Sequence, residues 1–259
     1  MKVALGQTIG TPGDIAANLA LMERLAKEAS ARGADLLLLP ELFLSGYNIG
    51  TAIPALAETC EGPSAIAAAT IAKAANLAIG YGYPERAPEG IYNAALVLDR
   101  QGRIIANYRK SHLWGAMERA QFLPGDAQAI FTLGGLRFGF MICYDIDFPE
   151  FARSLALAGV DAIIGISATT KPYHVIARRL IPARAYENRL FFLFANRAGT
   201  ENGMSYTGES CIAAPDGEVV AQCGDGEELV IGSVDAGAYA AFRRDHRYET
   251  DRRPHLYQP

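Results

Sequence analysis

Short apolar runs alternate with stretches of helical periodicity from one end of the chain to the other. Lys2 to Gln7 predicts a strand. Asp14 to Arg32 places Ile15, Leu19, Met22 and Leu25 on one face, which predicts a helix with Asp14 as N-cap and Gly33 as its stop. Asp35 to Leu39 predicts a second strand, closed by Pro40; Ser64 to Asn76 a second helix; Leu77 to Tyr83 a third strand. Tyr92 to Asp99 and Arg103 to Tyr108 are then joined by a short turn ending in Gly102, the pattern of a hairpin. Ala129 to Leu133 and Leu136 to Cys143 form another around Gly134 and Gly135. Pro149 to Ala158 reads as a helix with proline in its first turn, Asp161 to Ser167 as a strand, and His174 to Asn188 as a longer helix. Leu190 to Asn196, Ser210 to Ala214, Glu218 to Cys223 and Leu229 to Asp235 complete the strands, with Asp216-Gly217 as a hairpin turn. Two mixed sheets packed together, each with helices on its outer face, would use this inventory of hairpins and crossovers, so the fold class is α/β.

Composition narrows the picture. The chain has 259 residues, is 50% hydrophobic and 20% charged, and carries a net charge of -4. That balance allows a large buried core and excludes disordered, collagen-like and coiled-coil chains. The even alternation, with no linker and no repeat, predicts one domain over residues 1–259. The basic cluster Arg243, Arg244, Arg247, Arg252 and Arg253 is interleaved with Asp245, Glu249 and Asp251. It reads as a salt-bridged C-terminal arm, residues 240–259, and not as a nucleic-acid surface. No apolar run is long enough to span a bilayer and no signal-peptide core is present, so the expected location is the cytoplasm and no membrane partner is implied.

The four cysteines, Cys60, Cys143, Cys211 and Cys223, are too scattered for a disulfide scaffold and form no C-x-x-C pair. His112, His174, His246 and His255 show no metal-ligand spacing. Glycine-rich phosphate loops are absent, as is a G-x-S-x-G elbow, so neither metal nor nucleotide cofactor is implied. Three residues have settings that can carry chemistry. Glu41 follows the Leu36-Leu37-Leu38-Leu39-Pro40 run, at the strand end where α/β sheets place their sites, and partial desolvation there would suit a general base. Alternatively it is simply the first solvated residue after a strand. Lys110 lies just past a hairpin strand, where it is either a bland surface lysine or a cation for an oxyanion. Cys143 ends an apolar strand immediately before a helix, which makes it a small core residue or a thiol near free backbone N–H groups. The acidic turn after it, with Asp145 and Asp147, would oppose a thiolate. An active Cys143 therefore needs a nearby cation or base, and Lys110 and Glu41 are the candidates. Cys60, Cys211 and Cys223 read as structural.

Pro40-Glu41 after the leucine run, Tyr108-Arg109-Lys110-Ser111-His112-Leu113, and Gly139 to Asp145 followed by Phe148-Pro149-Glu150 resemble, in that order, the three signature segments of the nitrilase superfamily of carbon-nitrogen hydrolases. The similarity runs from Val3 to the Asp251-Arg252-Arg253-Pro254 arm. It implies a four-layer α-β-β-α sandwich, a Glu41-Lys110-Cys143 site, and a second glutamate, which Glu118 matches. A surface salt bridge with Arg119 is the alternative role for Glu118. The resemblance also implies homodimers paired through helices beside the site. Its chemistry is covalent: Glu41 takes the Cys143 proton, Lys110 and the Tyr144 N–H hold the oxyanion, and a thioester is hydrolysed. Cys143-Tyr144-Asp145 resembles the amidase and carbamoylase branches, where nitrilases carry Cys-Trp-Glu. Asp147 would repel a carboxylate and attract an amine, so the expected substrate is a small aliphatic amide with a distal amine, of the 5-aminopentanamide kind; alternatively, Asp147 caps the helix at Pro149. N-carbamoyl hydrolysis and a non-catalytic metabolite-binding role are the rival readings.

Overall fold

The computed structural model describes residues 1–257. Its strands are β1 (Lys2–Gln7), β2 (Leu36–Leu38), β3 (Ala78–Ala87), β4 (Gly90–Leu98), β5 (Ile104–Arg109), β6 (Ile130–Leu133), β7 (Leu136–Ile142), β8 (Ala162–Ser167), β9 (Phe191–Asn196), β10 (Thr200–Glu201), β11 (Met204–Ser205), β12 (Cys211–Ala213), β13 (Val219–Gln222) and β14 (Glu228–Ser233). Its helices are α1 (Ile15–Ala31), α2 (Ile53–Leu56), α3 (Pro63–Ala75), α4 (Gly115–Gln121), α5 (Pro149–Leu157), α6 (Ile181–Asn188), α7 (Ala240–Asp245) and α8 (Tyr248–Asp251).

Two six-stranded sheets run in the orders β14-β1-β2-β3-β4-β5 and β13-β12-β9-β8-β7-β6. In each, three central strands are parallel (β1-β2-β3 and β7-β8-β9) and the flanking pairs antiparallel. The side-chain period of two explains the layering. In the leucine run, Leu36 and Leu38 enter the core between the sheets, while Leu37 and Leu39 face α1 and α3. Phe138, Phe140 and Ile142 of β7 likewise face the inter-sheet core, and Met141 faces α5 and α6. A one-residue slip would exchange these two sets, each matched to a different partner layer, so the register is tightly specified. The result is the α-β-β-α sandwich expected.

Local signals account for most boundaries. Asp14 caps α1, its Oδ1 accepting the Ala17 N–H at 2.9 Å, and Gly33 follows the helix with φ of 78°. Pro63 opens α3, one residue before the expected Ser64. The predicted helix 174–188 is present without a break, but its first part, Ile176–Leu180, is wound as a π turn that runs directly into α6. The arm is also corrected. Two of its charges pair with the body, Arg243 with Asp161 at 3.3 Å and Glu249 with Arg189 of α6's C-cap, and among the described residues none pairs with another charge of the arm. The last two residues of the expected arm, Gln258 and Pro259, lie outside the described residues. Among the described residues no helix is long and apolar enough to cross a membrane.

Candidate active site

The site forms beyond the ends of β2 and β7, which lie in opposite sheets. Both strands break into tight turns there. Leu42, next to Glu41, and Cys143 itself each adopt φ of 48°, a left-handed conformation that costs a non-glycine residue energy. At Cys143 this sharp strand-to-turn change lifts the thiol out of the pleat and starts a 3-10 turn, Cys143–Asp147, whose first N–H groups have no partner within it. The turn at Glu41 depends on close approach by β3. The Gly82 N–H donates to the Pro40 carbonyl at 3.1 Å, and a Cβ at position 82 would lie 2.3 Å from the Leu42 nitrogen.

Glu41, Lys110 and Glu118 are all fully buried. The Lys110 ammonium bridges the two acids, 2.8 Å from Glu41 Oε1 and 2.7 Å from Glu118 Oε1. Glu118 Oε1 also accepts the Tyr47 hydroxyl at 2.6 Å, and its Oε2 accepts the Trp114 N–H at 2.8 Å. Glu118 sits on α4, a helix the sequence patterning did not anticipate, and it makes no surface bridge to Arg119 among the described residues. Glu41 Oε1 accepts a second bond from Asn93 Nδ2 at 2.7 Å, whereas among the described residues Oε2 accepts only the Ala168 N–H, at 2.8 Å. Oε2 is therefore the oxygen with a lone pair free to take a proton.

The electrostatics follow from that packing. Burial raises the Glu41 pKa above the usual carboxylate range; Lys110 pulls it down, Glu118 pushes it further up, and the hydrogen bonds from Lys110 and Asn93 lower it. Burial alone would depress Lys110, but the fields of Glu41, Cys143 and Glu118 outweigh it and hold the ammonium charged. Cys143 is pushed up by burial and then by Glu41 and Glu118, against which Lys110 is insufficient. One lysine between two acids leaves the cluster net negative. The resting nucleophile is thus a thiol that loses its proton only as it attacks, with a carboxylate poised to receive it.

The expectation that Asp145 crowds the thiol with negative charge is corrected. Asp145 is fully buried and bonded away from the nucleophile. Oδ1 meets the His112 N–H at 2.9 Å and His112 Nδ1 at 2.7 Å, and Oδ2 accepts the Tyr108 hydroxyl at 2.7 Å and the Ile142 N–H at 2.8 Å. It braces the turn that presents Cys143, with the His112 ring stacked on Phe148 at 4.0 Å. Asp147, by contrast, makes no capping bond to α5, whose N-cap is Phe148, and it lines a cavity of about 350 Å³ together with Cys143 and Tyr144. Tyr47, Trp114, Thr169, Tyr173 and Ile176 are among the residues that close the rest of that cavity, and Asp147 is the one carboxylate among its described lining. Burial raises the Asp147 pKa against the opposing pull of Arg184 and Lys110.

Several residues of the site escaped the sequence reading. Asn93 carried a signal, as a lone amide inside an otherwise apolar strand. Arg197, 1% exposed, holds the Glu41 turn by donating to the carbonyls of Glu41 (3.1 Å), Leu42 (2.7 Å) and Ile9 (2.9 Å). Tyr47 gave no local signal. Cys211 and Cys223 are buried away from the cavity, as expected of structural thiols, and Cys60 is half-buried against the α1-α3 layer.

Comparison with known proteins agrees with this geometry. Residues 2–244 match the family described as Carbon-nitrogen hydrolase. The chain is 49% identical to the "Hydrolase in pqqF 5'region" of Pseudomonas protegens over 99% of this chain and 90% of that protein. It is 35% identical to an (R)-stereoselective amidase of Pseudomonas sp. over 98% and 92% of the two chains. An amidase of Nesterenkonia sp. superimposes with a TM-score of 0.87 at 29% identity, covering 99% of this chain and 95% of that one. A glutamate-to-glutamine variant of that amidase carries the acetamide moiety of fluoroacetamide covalently on its active-site cysteine. The chain belongs to the carbon-nitrogen hydrolase family, in the amidase branch of the nitrilase superfamily, and is a hydrolase of carbon–nitrogen bonds.

Proposed function

We propose that this enzyme hydrolyses a small aliphatic amide carrying a distal amine, giving the carboxylic acid and ammonia. The observation that supports the chemistry most is the buried Glu41-Lys110-Glu118 cluster beside a thiol set on a left-handed turn at the cavity wall. Glu41 Oε2 takes the Cys143 proton as sulfur attacks the amide carbonyl. The resulting oxyanion is held by the Lys110 ammonium and the Tyr144 N–H, donors fixed before the reaction begins. Glu41 returns the proton to the amide nitrogen, the carbon–nitrogen bond breaks, and ammonia leaves. Water, deprotonated by Glu41, then adds to the thioester carbonyl, and collapse expels the Cys143 sulfur, which recovers a proton. Glu118 keeps Lys110 aimed at the oxyanion and orients the substrate amide. The amidases among the relatives support an amide over a nitrile.

The Asp147 carboxylate supports the amine. It accepts no hydrogen bond from a described residue, and a part-buried unpaired carboxylate gains from an incoming cation. Comparing kcat/KM for 5-aminopentanamide with that for pentanamide tests the idea: a clear preference for the amine is expected, and Asp147→Asn should erase it. Equal values in the native enzyme would sink amine recognition. An N-carbamoyl substrate would release carbon dioxide together with ammonia, which a single product assay separates. We also read residues 1–259 as one hydrolase domain whose arm, from residue 240, reaches a second copy in a homodimer; light scattering of the full chain and of a chain ending at Asp235 tests that.

A further inference from the structure

The stretch from the end of β9 through β10 carries two buried charges that the chemistry above does not use. Arg197 and Glu201 are each 1% exposed, and neither forms an ion pair among the described residues. Leaving an ionised side chain buried without a counter-charge is expensive unless polar groups replace water around it. Both draw most of those groups from one loop, the excursion that starts at Glu41; Arg197 also donates to the Ile9 carbonyl. Arg197 donates to the carbonyls of Glu41 and Leu42 at the loop's entrance. Glu201 accepts the N–H groups of Tyr47 (3.0 Å to Oε2) and Asn48 (2.7 Å) at its exit, and the Tyr206 hydroxyl at 2.5 Å. The cation thus holds the carbonyl end and the anion the amide end of the same loop. Gly46 is shaped to this arrangement: its φ is 94°, and a Cβ there would lie 2.3 Å from Glu201 Oε1.

The loop's two ends carry the two functional contacts, the Glu41 carboxylate and the Tyr47 hydroxyl on Glu118. We propose that Arg197 and Glu201 are positioning residues, a two-charge clamp that fixes Glu41 and Tyr47 relative to Lys110 and Cys143. This rests on the amidase reading of the site. The clamp divides its work: Arg197 acts through Glu41, and Glu201 acts through the Tyr47 hydroxyl to Glu118. Replacing either charge leaves the reacting groups in the sequence but lets the loop shift, and displacements of about 1 Å at a catalytic group can cost on the order of a hundredfold.

The test is a pair of double-mutant cycles, read by kcat/KM on butyramide and, in parallel, by the rate at which iodoacetamide alkylates Cys143, followed by mass spectrometry. In the second reading sulfur displaces iodide and the thiol proton passes to Glu41, so it reports the site without depending on the natural substrate. Glu201→Gln should lower both rates about tenfold or more in the native background but less than about threefold on a Tyr47→Phe background, because the contact it serves is already gone. Arg197→Lys should lower both rates by a similar factor in either background. Should Glu201→Gln fail to fold, Tyr206→Phe, which removes one donor to the same carboxylate, should give a smaller loss with the same disappearance on Tyr47→Phe. Effects of Glu201 and Tyr47 that multiply fully, or a melting-temperature loss in Glu201→Gln with both rates unchanged, would overturn the clamp. Absence of butyramide hydrolysis in the native enzyme would count against the amidase reading while leaving the alkylation cycle decisive for the clamp.

Discussion

Asn93 offers a clean perturbation of the general base. Its Nδ2 donates to Glu41 Oε1 at 2.7 Å in a fully buried setting, while its own Oδ1 has no partner among the described residues. Asn93→Leu therefore deletes one bond to the carboxylate, keeps the side-chain size close to native, and strands no other group. A hydrogen bond to a charged partner is worth about 1.5–3 kcal/mol, and at about 1.36 kcal/mol per pH unit its loss should raise the Glu41 pKa by roughly one to two units. The sign follows from the role. Glu41 must be ionised to take the Cys143 proton, and burial already places its pKa above the ordinary carboxylate range. In the native enzyme kcat/KM should fall as pH drops through that raised value; in Asn93→Leu the same fall should begin one to two pH units higher, with the plateau at high pH largely kept. The assay is the pH profile of ammonia release, with thermal melting to confirm folding. An acid limb that stays in place while activity drops equally at all pH values would refute Glu41 as the titrating base.

Two further substitutions probe the cluster and its support. Lys110→Met removes the cation shared by two buried acids, so kcat should fall on the order of a hundred- to a thousandfold or more. Glu41 would then lose the cation that holds its pKa down, so its folded-state pKa would stand further above its unfolded value. The variant's melting temperature should accordingly be highest at low pH and decline as pH rises through that raised value; a flat profile would contradict the buried-pair account. Gly82→Ala would press a methyl group against the Leu42 nitrogen and the Pro40 carbonyl, costing roughly 1–3 kcal/mol of stability by calorimetry and lowering kcat through displacement of Glu41. Native activity in Gly82→Ala would show that the Glu41 turn does not depend on that contact.

Much of this arrangement was legible in the chain because it is written in local patterns. The leucine run, the Gly102 and Gly134-Gly135 turns, the Asp14 cap and the Pro149 helix start act over a few residues, and the structure follows them closely. The three motif segments gave Glu41, Lys110 and Cys143, and the resemblance they carry implied Glu118; the fold buries the two acids around Lys110 and leaves Cys143 lining the cavity. What the sequence withheld was the direction in which charges point. Asp145 and Asp147 are two residues apart in one acidic turn, yet one is bonded into the fold and the other faces the cavity. Arg197 and Glu201 looked like ordinary polar residues after an apolar strand, because their partners lie about 155 positions away. The π turn at Ile176–Leu180 was hidden for a related reason: the apolar period fits a plain helix, and the wider winding is a matter of which backbone groups pair.

The central claim is that Cys143 carries the acyl group during turnover. Mixing the native enzyme with 5-aminopentanamide and quenching within the first turnovers should give, by mass spectrometry, a Cys143 adduct equal in mass to the substrate less ammonia, and Cys143→Ala should show neither adduct nor ammonia release while melting like the native protein. Steady ammonia release by Cys143→Ala would contradict the account.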